Sequence, residues 1–215
     1  MPSRRPYHRE SEERRRDDLI AAALSLVAEG GLRAATVREI AARAGVTPGL
    51  IRHYFATKDD LTRAAYGKLM QGMTQGSAAS LENAPEGAVP RLASFVTAAV
   101  SPPVVDAVSV GLWAGFLHDL RRDATMRDIH ATNYLAFRDM LQNLIAALPR
   151  TATGAQLRRE AIACNAVIDG LWLEGSVLPD AFEPGEIAAI ALASVGAILG
   201  VELQVSAPLT ERTLT

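Results

Sequence analysis

The chain has 215 residues, of which 49% are hydrophobic and 21% charged, a balance typical of a folded globular protein. Its longest apolar run covers about 15 residues, 187–201, which is shorter than the roughly 20 that cross a bilayer, and its single cysteine excludes an intrachain disulfide. No apolar segment follows the N-terminal arginines, so we expect no signal peptide, no membrane contact and a cytoplasmic location.

The net charge of -2 conceals an uneven distribution. Residues 1–66 carry a net charge of +3, whereas residues 67–215 carry -5. A basic head on an acidic body favours contact of the head with a polyanion. We expect a disordered basic arm at the N-terminus, which contains Arg4, Arg5 and Arg9. The arm either contacts the DNA minor groove or is a solubilising tail in which carboxylates alternate with the arginines.

The pattern of the N-terminal region predicts a long helix followed by a short one. Apolar residues at helical spacing predict the first helix over about 11–29, and the Gly30–Gly31 pair ends it because glycine readily adopts left-handed backbone angles. Thr36 and Glu39 have the spacing of a capping box, in which each side chain bonds the other residue's backbone N–H. They predict a short helix that ends at Gly45.

A second short helix and a second long helix are predicted next. The short one covers residues 48–55, with Thr47 as its N-cap and a proline in its first turn, where a missing N–H is tolerated. The long one runs over 58–80, with Thr57 and Asp60 as its capping pair. Two short helices joined by a glycine turn form a helix-turn-helix, whose second helix presents its N-terminal residues to the major groove.

Apolar and polar side chains separate within this segment. The residues expected to form a small core are Ile40, Ala41, Val46, Leu50, Ile51, Phe55 and Leu61. The residues expected to face outward on or near the second short helix are Thr47, Pro48, Gly49, Arg52, His53 and Tyr54. Taken singly, each polar residue also fits a solvated helix face, and it is the spaced set that favours DNA binding.

This spacing resembles the helix-turn-helix of the TetR family of bacterial repressors. The matching residues are Thr36, Ile40, Ala41, Ala44, Gly45, Val46, Thr47, Gly49, Tyr54, Phe55, Lys58 and Leu61. The resemblance implies that phosphates are contacted by Thr36, Arg38, Thr47, Tyr54 and Lys58. It also implies that Gly49, Arg52 and His53, beside Pro48, lie nearest the bases. Arg52 stands where an aromatic residue is commonest in the family, so no base preference is implied there.

Beyond residue 80 the pattern stays helical, and proline-containing segments interrupt it. Helices are predicted over residues 86–100, 104–122, 124–148, 153–178 and 185–203. We therefore predict an all-α fold, with a three-helix DNA-binding head over 1–66 and a helical ligand-binding and dimerisation body over 67–215. The last helix is apolar almost all round, which favours a homodimer built by the helices near 153–178 and 185–203. Gly196 and Gly200 have a spacing that allows close helix approach.

Two segments of the body resemble the choline-responsive, BetI-type regulators of the TetR family. They are Gly111-Leu112-Trp113-Ala114-Gly115-Phe116 and Ala166-Val167-Ile168-Asp169-Gly170-Leu171-Trp172-Leu173. Glu174 departs from that subgroup, which often has a basic residue there. Aromatic rings and a carboxylate suit an organic cation, so an effector site is predicted at Trp113, Phe116, Leu117, Tyr134, Phe137, Asp169 and Trp172. The alternative is that the tryptophans only fill the core and that Asp169 caps or bridges within the bundle.

Motifs for catalysis are missing from the sequence. The four histidines lack the spacing of a metal site, and we expect His118 and Asp119 to be a surface pair. No nucleophile elbow and no nucleotide-binding glycine loop is found. We therefore expect no enzyme activity, no metal and no cofactor. The expected function is sequence-specific regulation of transcription, with double-stranded operator DNA and a small-molecule effector as partners. The alternatives are a nonspecific architectural DNA-binding protein and a helical enzyme.

Overall fold

The computed structural model describes residues 5–102, 104, 106–117 and 119–204. Over these residues the chain forms nine α-helices and two short 3-10 turns, with no β-strand, which confirms the all-α prediction. The helices are α1 (Arg5–Gly30), α2 (Val37–Arg43), α3 (Pro48–Tyr54), α4 (Lys58–Ala79), α5 (Ala88–Ala99), α6 (Ala107–Leu117), α7 (Ala124–Ala146), α8 (Gly154–Val177) and α9 (Glu186–Leu199). Arg4, which belongs to the predicted basic arm, and His118, for which a surface role is expected, lie outside the described residues.

Two predicted helices have clearly different bounds in the structure. The backbone from Arg5 onward is helical, so the expectation of a disordered arm is wrong for those residues. Arginine and glutamate are good helix formers, and pairs such as Glu12 and Arg16 lie four residues apart. Helix α6 is shorter than predicted, because the Asp106 carboxylate accepts the Ser109 N–H at its start, at 2.7 Å. A 3-10 turn then separates it from α7.

The chain divides into two compact units. The N-terminal unit comprises Met1–Met70 and Gly111–Ala131, and the C-terminal unit comprises Gln71–Val110 and Thr132–Thr215. The predicted head therefore lies within a unit that also includes α6 from Gly111 onward and the first turns of α7. The division into a DNA-binding domain over 1–66 and a ligand-binding domain over 67–215 stays a prediction about function.

The N-terminal unit is built on the apolar positions that the sequence pattern picks out. Five of the seven predicted core residues are buried, and Val46 and Leu50 are half-buried. The apolar face of α1 adds Leu19 and Ile20, of which at most 2% is exposed. These contacts hold the short helices α2 and α3, neither of which is long enough to be stable in isolation.

The turn between α2 and α3 depends on Gly45. This residue has a φ of 65°, in the left-handed region, and its N–H donates to the Ala42 carbonyl at 3.2 Å. The next N–H, of Val46, donates to the Ala41 carbonyl at 2.9 Å. These two bonds form a Schellman motif, which satisfies the last carbonyls of α2 and sets the direction of the chain into α3.

The three predicted threonine caps differ in what their side chains do. Thr57 and Asp60 form a complete reciprocal cap, with bonds of 3.0 Å and 3.1 Å between each backbone N–H and the other side chain. Thr36 accepts the Glu39 N–H at 3.2 Å, but its own N–H donates to the Ala34 carbonyl, so the predicted capping box is only half formed. Thr47 occupies the N-cap position of α3 without a capping bond from its hydroxyl among the described residues.

The C-terminal unit packs its helices around large apolar side chains. Fully buried members of this core include Phe95, Leu141, Ile145 and Ile168. The indole N–H of Trp172 donates to the Ala99 carbonyl at 2.7 Å, which ties α8 to the end of α5. No helix in the described part of the chain is long and apolar enough to cross a membrane.

The two glycines near the end of α9 terminate that helix. Gly200 has a φ of 67°, and its N–H bonds the Gly196 carbonyl. A Cβ on Gly196 would lie 2.6 Å from the Val201 carbonyl oxygen, because the chain folds back against the helix there. The pair therefore ends α9, and its part in close helix approach stays a prediction.

We expect Gly45→Ala to lower the free energy of unfolding by about 1–2 kcal/mol, because alanine is strained at positive φ. Gly49→Ala is the matched control, since Gly49 has no positive φ and a Cβ there meets only the Thr47 hydroxyl, at 3.9 Å. Urea denaturation of both variants checks this. A Gly45→Ala protein as stable as the wild type would contradict the role given to the turn.

Candidate functional site

Helix α3 has one anchored face and one exposed face. Ile51 is 2% exposed and Phe55, which follows the helix, is 4% exposed. The predicted outward residues Thr47, Pro48, Gly49, Arg52 and His53 are all exposed, and Tyr54 is half-buried. The rings of His53 and Tyr54 meet edge to face, with centroids 5.1 Å apart. The structure therefore presents the exposed residues between Thr47 and His53 on a helix whose other face is buried.

Helix α2 is fixed to α1 by Arg43. Its guanidinium donates to both carboxylate oxygens of Glu29, at 2.6 Å and 2.7 Å, and to the Ser25 hydroxyl at 2.5 Å. The hydrogen bonds from Arg43 and then Ser25 lower the pKa of Glu29 to about 2. Thr36 and Arg38, the predicted phosphate contacts of this helix, are both exposed. Helix α2 is thus braced on one side and open on the other.

Two cationic side chains have partners that the sequence did not indicate. The guanidinium of Arg16 lies 5.0 Å from the ring centroid of Phe55, so α1 contacts the end of α3 through a cation–π pair. The ammonium of Lys58 donates to the Leu32 carbonyl at 3.3 Å. An ammonium has three N–H donors, so this bond is compatible with the predicted phosphate contact of Lys58, which stays a prediction.

Arg63 connects the start of α4 to the start of α7. Its Nε donates to Asp123 Oδ2 at 2.8 Å, and its NH1 donates to Asp60 Oδ1 at 3.0 Å. Asp123 also accepts the Met126 N–H at 3.0 Å and so caps α7. Bonds from the Met126 backbone and then from Arg63 lower the pKa of Asp123. Arg63 and Asp123 are 60 positions apart, and nothing in the sequence pairs them.

A cleft of about 510 Å³ lies beside this ion pair, within the N-terminal unit. Its charged lining residues are Asp59, Arg63, Asp119, Arg122 and Asp123. The lining is polar, unlike the aromatic surroundings predicted for an effector, and none of the predicted effector residues belongs to it.

The predicted effector residues are divided between the two units. Trp113, Phe116 and Leu117 lie in the N-terminal unit, where the Phe116 and Tyr66 rings pack with centroids 5.0 Å apart. Tyr134, Phe137, Asp169 and Trp172 lie in the C-terminal unit. Phe137 and Trp172 are each 6% exposed, and their ring centroids are 6.4 Å apart. These are contacts of core residues, so a ligand role for the rings stays a prediction.

Tyr134 and Asp169 meet in a polar cluster together with Asn165, a residue that sequence reasoning missed. The Tyr134 hydroxyl donates to Asp169 Oδ2 at 2.5 Å. Asn165 Nδ2 donates to the Tyr134 hydroxyl at 2.6 Å and to Asp169 Oδ2 at 2.9 Å. Burial raises the pKa of Asp169, and these two hydrogen bonds oppose the shift. The four-residue spacing of Asn165 and Asp169 on one helix was the available signal.

Comparison with known proteins identifies the family. Residues 19–65 match the model of the bacterial regulatory proteins of the tetR family, and residues 88–200 match the model of the BetI-type transcriptional repressor C-terminal domain. The HTH-type transcriptional regulator BetI of Burkholderia thailandensis is 30% identical over 171 residues, which are 80% of this chain and 86% of that protein. The chain belongs to the TetR family.

Two solved structures have a similar fold. A transcriptional regulator of Pseudomonas aeruginosa PAO1 superposes with a TM-score of 0.78 at 30% identity, covering 87% of this chain and 91% of that one. The multidrug binding protein EbrR, complexed with imidazole, gives a TM-score of 0.59 at 25% identity and covers 90% and 97%. This TetR-family chain is therefore a transcriptional regulator, and α2 and α3 form its helix-turn-helix.

We expect Arg63→Met to destabilise the protein more than Lys68→Met. The Arg63–Asp123 side chains are 26% and 23% exposed, whereas the Lys68–Asp17 pair, also in the N-terminal unit, is 53% and 52% exposed and well screened by water. The pKa of folded Asp123 is lowered, so the contribution of its bonds is present above about pH 4, near its ordinary pKa, and is lost as the pH falls through the folded value.

Urea titrations of the wild type and both variants, at pH 7 and at steps below pH 4, test this expectation. The difference between wild type and Arg63→Met should be largest at pH 7 and shrink as Asp123 becomes protonated. Equal unfolding midpoints for the two variants at pH 7 would contradict it.

Proposed function

We propose that this regulator is a homodimeric repressor that binds a pseudo-palindromic operator through α3 and leaves it when a cationic effector binds the C-terminal unit. The observation that carries the proposal is the exposed surface from Thr47 to His53 on a helix anchored by Ile51 and Phe55. A recognition helix must hold its base-contacting side chains rigidly, because each contact depends on a defined groove geometry.

Base contacts are assigned to Arg52 and His53, and close backbone approach to Pro48 and Gly49. Arg52 and His53 are exposed on α3, and an arginine can donate two hydrogen bonds to a guanine edge. A Cβ on Gly49 would meet only the Thr47 hydroxyl, so the glycine leaves open space on this side of the helix. Phosphate contacts are assigned to Thr36, Arg38, Thr47, Tyr54 and Lys58, which lie in or beside α2, α3 and the start of α4.

Loss of a base contact and loss of a phosphate contact should affect DNA binding differently. We expect Arg52→Ala to cost about 1–3 kcal/mol of operator binding and to leave binding to bulk DNA nearly unchanged. Arg38→Ala should weaken both and reduce the salt slope by about 1, because one phosphate contact is lost. Arg158→Ala, an exposed arginine on α8, is the control.

Competition titrations with the gene's own upstream region against bulk DNA, at several salt concentrations, measure these effects. A protein that shows no preference for its upstream region would be an architectural DNA-binding protein. Equal losses for Arg52→Ala and Arg38→Ala on both DNAs would remove Arg52 from base readout.

The homodimer is assigned to the exposed faces of α8 and α9, which pack against each other in the C-terminal unit. On α8 the exposed residues recur at heptad spacing, at Ala163, Ala166, Gly170, Leu173 and Val177. On α9 they recur at Ile190, Ala193 and Ala197. Leu173 and Val177 are 52% and 66% exposed, and contiguous exposed apolar residues of this kind mark protein–protein contacts. Such stripes suit the four-helix interface of a two-fold dimer.

We expect Leu173→Glu to convert the dimer to a monomer, because it places a charge in the centre of an apolar interface. Leu135→Glu on α7, at a leucine that is 41% exposed but off this surface, is the matched control and should remain dimeric. Sedimentation velocity at several concentrations checks both. A dimeric Leu173→Glu protein would exclude this face as the interface.

The effector is assigned to the polar cluster of Tyr134, Asn165 and Asp169. A half-buried carboxylate near aromatic rings suits an organic cation. To release DNA, the effector must bind the released state more tightly, by about 1.4 kcal/mol for each tenfold shift. Helix α4 is the proposed route of transmission, because it begins at Lys58 in the N-terminal unit and continues past Met70 into the C-terminal unit.

A further inference from the structure

The polar cluster contains a buried acceptor without a donor. Asn165 is 1% exposed, and no donor among the described residues reaches its Oδ1 atom. The orientation of the amide is fixed, because Nδ2 donates to the Tyr134 hydroxyl and to Asp169. The reverse orientation would turn the amide oxygen toward a carboxylate. A buried polar atom left in this way is unfavourable relative to one that is hydrogen-bonded.

Asp169 adds a negative charge to the cluster. Its Oδ2 atom accepts two hydrogen bonds, and no described residue donates to its Oδ1 atom or forms an ion pair with it. Arg138, on α7, acts electrostatically on the Tyr134 hydroxyl but does not pair with Asp169 among the described residues. The cluster therefore offers to an incoming group one negative charge and two acceptor oxygens, Asn165 Oδ1 and Asp169 Oδ1, to which no described residue donates.

We propose that the cluster binds the ammonium group of a primary or secondary amine, whose N–H bonds are donated to Asp169 and to Asn165 Oδ1. This rests on the proposed function, since it names the chemical class of the effector. A quaternary ammonium ion supplies the charge but no N–H, so it leaves the Asn165 oxygen without a donor. The charge-assisted bonds that only the N–H-bearing amine can form set the preference.

The site is placed by two helices. Asn165 and Asp169 lie one turn apart on α8, and Tyr134 comes from α7. Asn165 and Tyr134 lie with the buried residues Ile168 and Trp172, whereas Asp169 borders the exposed stripe, because it is three residues after Ala166 and four before Leu173. An amine bound there would contact α7 and α8 together.

Two ligand pairs isolate the N–H contribution. Ethanolammonium and choline have the same skeleton and charge and differ by three N-methyl groups, and n-butylammonium and butyltrimethylammonium form a second, more apolar pair. Isothermal titration of the full-length chain should give at least tenfold tighter binding of the amine in at least one pair. Tighter or equal binding of the quaternary ion in both pairs overturns the proposal, and so does absence of binding by all four.

Variants then locate the preference. Asn165→Leu should reduce the preference for the amine to less than threefold, because it removes the Oδ1 acceptor. Asp169→Asn should weaken the binding of both ligands of a pair. Asp139→Asn, at an exposed carboxylate on α7, is the matched control and should change neither. An unchanged preference in Asn165→Leu would overturn the assignment to this cluster. The comparison of ligands on the wild type needs no variant, so it stands even where a variant folds poorly.

Operator titrations in the presence of each ligand separate this inference from the proposed function. Specific operator binding that no amine weakens contradicts the effector class alone. Loss of any preference for the operator contradicts the proposed function itself.

Discussion

Burial of Ile51 and Phe55 is the constraint on which the DNA-binding surface depends. Helix α3 has only seven residues, Pro48–Tyr54, and gains little stability from its own hydrogen bonds. Its direction is set by the Gly45 turn before it and by Phe55 after it, and Arg16 covers the Phe55 ring from α1. Arg52 and His53 follow Ile51 directly, so the anchor inside the core and the exposed side chains are parts of one rigid turn.

Local signals in the sequence predict most of this arrangement. Helix spacing, glycine turns and threonine caps predict all nine helices, with most ends within three residues of those observed. Alternation of apolar and polar positions correctly separates Ile51 and Phe55 from Arg52 and His53. These features succeed because each depends on residues within a few positions of one another, where backbone geometry restricts the outcome.

Contacts between distant positions are what the sequence does not predict. In the sequence, Arg63 is one of several charged residues of α4. Its pairing with Asp123 cannot be predicted without knowing how the helices between them are arranged. In the sequence, Asn165 is only a polar residue within α8. Its role becomes apparent when the fold brings the Tyr134 hydroxyl within hydrogen-bond distance. The helix caps show the same limit over shorter distances. Thr36 and Thr57 begin similar capping motifs, but the Thr36 N–H bonds the Ala34 carbonyl, so only the motif at Thr57 is complete.

Helix α8 joins the two assignments made for the C-terminal unit. Asn165 and Trp172 lie on its inner side, the stripe from Ala163 to Val177 lies on its outer side, and Asp169 lies at the border between them. Both sets of residues belong to one continuous helix of 24 residues. In the proposed symmetric dimer both copies of the stripe share one interface, so a ligand that displaces α8 also displaces residues of that interface. The proposed effector site and the proposed subunit interface are in that case parts of the same helix, so ligand binding and the geometry of the interface are coupled through α8.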